Sequence, residues 1–285
     1  MESKWQIVIT FALTIAILLF IIFNRSSTPV IIYFPHDQNL HYAKAETFIS
    51  VKEQPKKDSY LVEWSSISSL DQPVYLRQDV SLLFMDGKWK ATNSVWKERE
   101  QHIQLSSKLE ESDGGLFQAI SFHHGEVHYS SDDIYSVQKM SASNLYVMDS
   151  PLTKLETFSK PMTNSQKQWR QILDQTIDQY LQSTWGKWIK EKGINIEEYH
   201  MVPLVELIQF QETNITSLTK EQTDKIIGQL WEGLYKNYIV PMVNEQWKTS
   251  NAMPVILFSK DNTHLLVLFE DGDEQTQLLQ QQYSL

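Results

Sequence analysis

The chain has no cysteine. That excludes disulfides, a cysteine nucleophile and the lipid-modified cysteine of a lipoprotein, and any exported domain must stand on its core alone. Glycine is scarce, with nine in 285 residues. Phosphate-cradling loops are built from glycine, so nucleotide binding is disfavoured. Gly228 and Gly233 have P-loop spacing, but no lysine follows and the pair falls inside an expected helix, where small residues allow close packing. Positive charge is short too: 25 Lys and Arg stand against 35 Asp and Glu, for a net charge of −10. Nucleic acid wants a basic face, and so does docking onto anionic lipid or wall polymers; neither is expected here.

Catalytic signatures are missing as well. There is no G-x-S-x-G elbow and no H-E-x-x-H. S-x-x-K occurs at Ser94–Lys97, Ser136–Lys139 and Ser217–Lys220, but about two matches are expected by chance. No S-D-N follows, and Lys248-Thr249-Ser250 lacks the glycine of K-T-G. No catalytic residue and no cofactor is assigned.

What the chain does have is an apolar, uncharged stretch from Trp5 to Phe23, flanked by Lys4 and Arg25. As a helix it spans ~28 Å at ~1.5 Å per residue, close to the ~30 Å hydrocarbon core of a bilayer. Asn24-Arg25-Ser26-Ser27-Thr28 is a poor small-residue cleavage site. The expectation is an uncleaved anchor, placing residues 5–23 in the lipid bilayer and the following domain outside the cytoplasm. Composition points to a bacterial envelope.

The fold class expected is α+β: a single N-terminal transmembrane helix (1–24), an antiparallel β-rich part (25–150) and an α+β part (151–285) with two long amphipathic helices. The last two are compatible with one continuous domain. In the first part, Val80–Met85, Asp86-Gly87 and Lys88–Thr92 read as a hairpin with a type I′ turn. Residues 60–64, 74–76, 102–109, 116–122, 127–130 and 145–148 read as strands, with His123-His124-Gly125-Glu126 as a solvated turn between two of them. Such close spacing suggests a sandwich. In the second part, Trp169, Ile172, Leu173, Ile177, Tyr180, Leu181, Trp185, Trp188 and Ile189 recur at helical spacing, as do Ile226, Ile227, Leu230, Trp231, Leu234, Tyr235, Tyr238 and Ile239. Asn164 or Ser165 is the expected cap and Gly193 the stop. A capping box at Thr219–Gln222 opens the second helix, which Pro241 kinks or ends. Residues 204–211 read as a strand, and 255–258 with 265–269 as a hairpin. The acidic run 270–274 reads as a polar loop.

Two sets of side chains stand out. His123, His124, Glu126, His128 and Asp132 are the densest group of metal-ligand types; on a single strand His124, Glu126 and His128 share one face. Residues i and i+4 on a strand lie ~13 Å apart, too far for one ion without help from elsewhere. Trp89 and Trp96 follow a tight turn and are the tryptophans expected to be exposed, able to stack on sugar. The leading expectation is a non-catalytic envelope protein that binds or positions a protein partner. The alternatives are a hydrolase using carboxylates or the His/Glu metal site, and a sugar- or peptidoglycan-binding module using Trp89 and Trp96.

Overall fold

The computed structural model describes residues 33–53, 59–150, 153–244 and 251–283. The expected anchor at 5–23, its linker, Trp247 and Lys248-Thr249-Ser250 lie outside the described residues. Among the described residues, no helix is long and apolar enough to cross a membrane. Contacts divide the chain into Met1–Val30 and Ile31–Leu285, and the described residues belong to the second unit.

The fold is mixed α+β with antiparallel sheets. Strands β1 (Tyr42–Glu53), β2 (Tyr60–Leu70) and β5 (His102–Glu111) form a sheet in the order β1-β2-β5. Strands β3 (Leu76–Met85), β4 (Lys88–Glu98), β6 (Gly115–His128), β7 (Ile134–Ser150) and β8 (Thr153–Phe158) form a second in the order β4-β3-β6-β7-β8. Alternation along a strand sends successive side chains to opposite faces. Leu83, Met85, Phe117 and Leu145 therefore pack on Tyr60, Val62 and Trp64 of the first sheet, closing a sandwich. Val80, Leu82, Phe84, Ile120 and Phe122 face the other way, into a core shared with Trp185, Trp231, Val255 and Leu268. Residues on both sides of position 150 thus share one core. Buried on both faces, β3 shows the near-continuous burial of a central strand.

The hairpin at Asp86-Gly87 forms as expected, with φ of 52° and 75°, the left-handed pair a type I′ turn requires. Lys90 is an extra residue in β4, since Ala91 pairs with Leu83 and Trp89 with Phe84. A Cβ at Gly87 would lie 2.9 Å from Leu181 Cδ2 as well as straining the backbone. Gly87→Ala is expected to cost about 1–3 kcal/mol, read as a shift of the urea midpoint of the full chain.

Helix α1 (Asn164–Glu191) buries Ile177, Leu181, Trp185 and Trp188. Its cap is Thr163 rather than Asn164 or Ser165, with Gln166 completing a capping box, and Gly193 at φ 65° follows its end. Helix α2 (Lys220–Leu234) is capped by the expected box of Thr219 and Gln222. Pro241 does not end the helical run. A π-turn over Tyr235–Ile239 precedes it, with Val240 N–H donating to Tyr235 O, and the run continues as α3 (Val240–Asn244). The wider turn accommodates a ring that has no N–H to donate. Close packing holds for Gly228, where a Cβ would meet Tyr33 at 2.5 Å, but not for Gly233, which faces open space.

Strands β9 (Tyr199–Pro203), β10 (Val255–Ser259), β11 (His264–Glu270) and β12 (Thr276–Gln282) make a sheet in the order β12-β11-β10-β9. The acidic run closes the β11–β12 turn: Asp271 Oδ1 accepts from the Asp273 and Gln275 amides. Residues Leu204–Gln211 form a 3-10 helix, not a strand. Leu204, Leu207 and Phe210 are all buried, a spacing of three that aligns side chains on a 3-10 helix. The period-two alternation expected of a strand does not hold over these residues.

Candidate functional site

His123-His124-Gly125-Glu126 is not a turn. It lies inside the continuous strand β6, and the turn comes later, where Tyr129 N–H donates to Asp133 O. The two histidines are buried on opposite faces. His123 tolerates burial because partners satisfy both ring nitrogens, as buried polar groups require.

On the sandwich face, His123 pairs across the strands with Asp79, and its Nδ1 lies 2.6 Å from Asp79 Oδ2. Ser68 Oγ donates to the same carboxylate oxygen at 2.6 Å, and Arg77 Nη2 reaches Asp79 Oδ1 at 3.3 Å. The Arg77 guanidinium lies under the Tyr42 ring and donates to Gln101 O. Gly125 sits opposite Arg77, where a Cβ would come 3.4 Å from the Arg77 Cδ. Burial by itself raises the Asp79 pKa, but the charges and hydrogen bonds of His123, with Arg77 and the Ser68 hydroxyl, outweigh it and hold the carboxyl below its ordinary range.

His123 Nε2 lies 2.8 Å from Ser141 Oγ, giving Ser141, His123 and Asp79 the connectivity of a nucleophile relay. The hydroxyl protons run the wrong way for one. Ser121 donates to Ser81, and Thr47 donates to Ser121. Thr47 has no second proton, so Ser141 donates to Thr47 at 2.7 Å and presents its oxygen, not its proton, to His123. Trp64 Nε1 closes the far end on Ser81. All of these groups are buried between the sheets. The relay is a hydrogen-bonded core, not an exposed nucleophile.

On the opposite face, His124, Glu126 and His128 do share one side, as the spacing requires. Glu126 lies between the rings, 3.3 Å from His128 Nε2 and 4.0 Å from His124 Nε2. They do not converge further: among the described residues no three His, Asp or Glu side chains form a group able to hold a metal ion, and Asp132 stays exposed in the hairpin turn. Among the described residues, His124 Nε2 and both amide atoms of its cross-strand neighbour Gln78 have no hydrogen-bond partner. Burial first, and the Arg77 charge second, push the His124 pKa down to about 4. Burial likewise raises Glu126, against the opposing contact with His128.

The tryptophan pair divides. Trp96 is 42% exposed on the edge strand β4, but Trp89 is only 7% exposed. Residues 251–253 cross the hairpin there, with Trp89 N–H donating to Asn251 O and Met253 N–H to Gly87 O. Trp89 therefore offers no free face to a ligand. Of the S-x-x-K matches, two lie within strands, and at the third Lys220 binds Asp224 and Phe210 O.

The open site lies elsewhere. A cleft of about 560 Å³ runs between α1, the five-stranded sheet and the 3-10 helix. Trp185 and Leu181 line it from α1, and Val205 from the 3-10 helix. The Trp185 indole is fixed by its N–H donating to Met253 O at 2.8 Å. Gln118 and Asn144, opposed across β6 and β7, supply amides from the sheet, and Gln182 supplies a third. Three carboxylates complete the lining. Asp174 accepts from Tyr146 Oη at 2.8 Å and from Arg170 Nε at 3.1 Å. Asp178 and Glu206 have no ion pair or side-chain hydrogen bond among the described residues. Removal of water around Glu206, and then the charge of Asp178, raise its pKa. Sequence reasoning missed this site. The signal that was present is Asp174, Asp178 and Gln182 at intervals of four, a polar stripe beside the apolar one on α1. Comparison with known protein families, curated proteins and solved structures finds no match for the chain.

Proposed function

We propose that the chain is a membrane-anchored, extracytoplasmic, non-catalytic protein of a bacterial envelope that binds a protein partner through the cleft between α1 and the 3-10 helix. The apolar stretch at 5–23 supports the tether, and the acidic balance of the chain agrees with a domain kept off anionic lipid. One observation carries the binding reading: the relay of Ser141, His123 and Asp79 is shut inside the sandwich, while the open cleft mixes apolar walls, neutral amides and unpaired carboxylates.

The Asp178 and Glu206 carboxylates, with Glu206 held above its ordinary range, favour a carboxylate hydrolase as the second reading. Turnover of a wall-derived glycan or ester by the full chain, lost in Glu206→Gln, would replace binding with that activity. The sugar-binding module keeps Trp96 and loses Trp89 to the core.

A chain without cysteine makes topology simple to test. A single cysteine at exposed Gln171 is expected to react with a membrane-impermeant maleimide in intact cells. Labelling only after lysis would overturn the extracytoplasmic assignment.

A further inference from the structure

We infer that the segment held in the cleft is an extended, cationic stretch of polypeptide carrying lysine or arginine; this rests on the partner-binding reading above. The lining contains three carboxylates and no lysine, arginine or histidine. Arg170 answers Asp174 alone, leaving Asp178 and Glu206 uncompensated across the groove. An ammonium or guanidinium placed between them relieves their mutual repulsion and donates hydrogen bonds to both.

The walls fit the rest of such a segment. Met201 and Pro203, half-buried in the cleft wall, offer apolar surface to the aliphatic stem of a lysine or arginine, whose charged head then reaches the rim carboxylates. Gln118, Asn144 and Gln182 each present a donor and an acceptor, the complement of a peptide group. An anionic polymer is disfavoured by sign, and a neutral one leaves the two carboxylates unanswered.

The test uses the full chain in detergent micelles and three labelled hexapeptides: alternating lysine and leucine, and the same peptide with glutamine or glutamate in place of lysine. The lysine peptide is expected to bind roughly ten-fold more tightly than the glutamine peptide, and the glutamate peptide not at all. Asp178→Asn combined with Glu206→Gln is expected to erase the lysine preference, as is 0.5 M salt in part. Both substitutions are on exposed positions and leave the fold intact, which the urea midpoint checks. Equal binding of the lysine and glutamine peptides, both blocked by Gln182→Trp, would overturn the cationic assignment and leave the cleft as a binding site. Lysine-peptide binding unchanged in the double variant, or no binding of any peptide, would overturn the inference outright.

Discussion

Asp79→Ala is expected to destabilise the full chain by roughly 3–5 kcal/mol, the largest loss of any single truncation considered. Asp79 is fully buried and answers three donors: His123 Nδ1, Ser68 Oγ and Arg77 Nη2. Removing it leaves the Arg77 charge buried with Gln101 O and a neutral hydroxyl, and leaves His123 unpaired on that side. The unanswered groups cost more than the lost bonds themselves. Ser141→Ala breaks no buried ion pair but leaves His123 Nε2 and Thr47 Oγ1 without that partner, and should cost about 1–3 kcal/mol. Urea unfolding of the two variants in the same detergent measures the difference. A loss below about 1 kcal/mol for Asp79→Ala would mean that the network does not hold the sheets together. The same structure predicts that Ser141 stays unlabelled by a serine-directed fluorophosphonate, because its hydroxyl is buried between the sheets and held by His123 and Thr47.

Acid should weaken the fold between about pH 6.5 and pH 4 through His124. Its ordinary pKa is 6.5 and burial lowers it to about 4, so in this window the unfolded chain binds a proton that the folded chain does not. Stability is therefore complete above the ordinary value and falls as pH drops toward the lowered one, by roughly 3 kcal/mol in all. Asp79, also depressed, acts in the same direction at lower pH, losing its contribution once the carboxyl protonates. Glu126 is raised and opposes it, since its neutral form suits the buried site. Comparing the wild type with His124→Phe cancels these neighbours, because Phe packs on Phe122 without titrating. The expected result is a flatter stability profile between pH 6.5 and 4 for the variant. Parallel profiles would show that His124 is not buried in its neutral form. His124→Gln serves as a second variant should Phe overpack the site.

Local signals were legible where local contacts decide structure. Asp86-Gly87 dictates its turn through backbone conformation alone, and Thr219 with Gln222 closes a box within four residues. The apolar stripe of α1 was readable from Ile177 onward, whereas Ile172, which falls on the same spacing, is 60% exposed; on α2 Ile226, Ile227, Leu230, Trp231 and Leu234 are all buried. Strand β6 was not legible, because what permits His123 in a core is Asp79, 44 positions earlier, and Ser141, 18 later. Without those partners, a run of His, Gly and Glu reads as solvated. Trp89 was misplaced for the same reason: residues 251–253, which cover it, are remote in sequence. The 3-10 helix fell between two periods, as three residues per turn mimics alternation over a short window. Asp178 and Glu206 come from different elements, so their juxtaposition exists only in the fold.

Photo-cross-linking in intact cells tests the central claim most directly. A benzophenone side chain at Gln182, on the rim of the cleft, is expected to yield one discrete protein adduct. The same group at Lys108, exposed on β5 of the three-stranded sheet, is expected to yield none. Loss of the Gln182 adduct in the Asp178→Asn, Glu206→Gln background would tie the partner to the cleft carboxylates. No adduct from Gln182, or the same adducts from both positions, would contradict the cleft as the partner-binding surface.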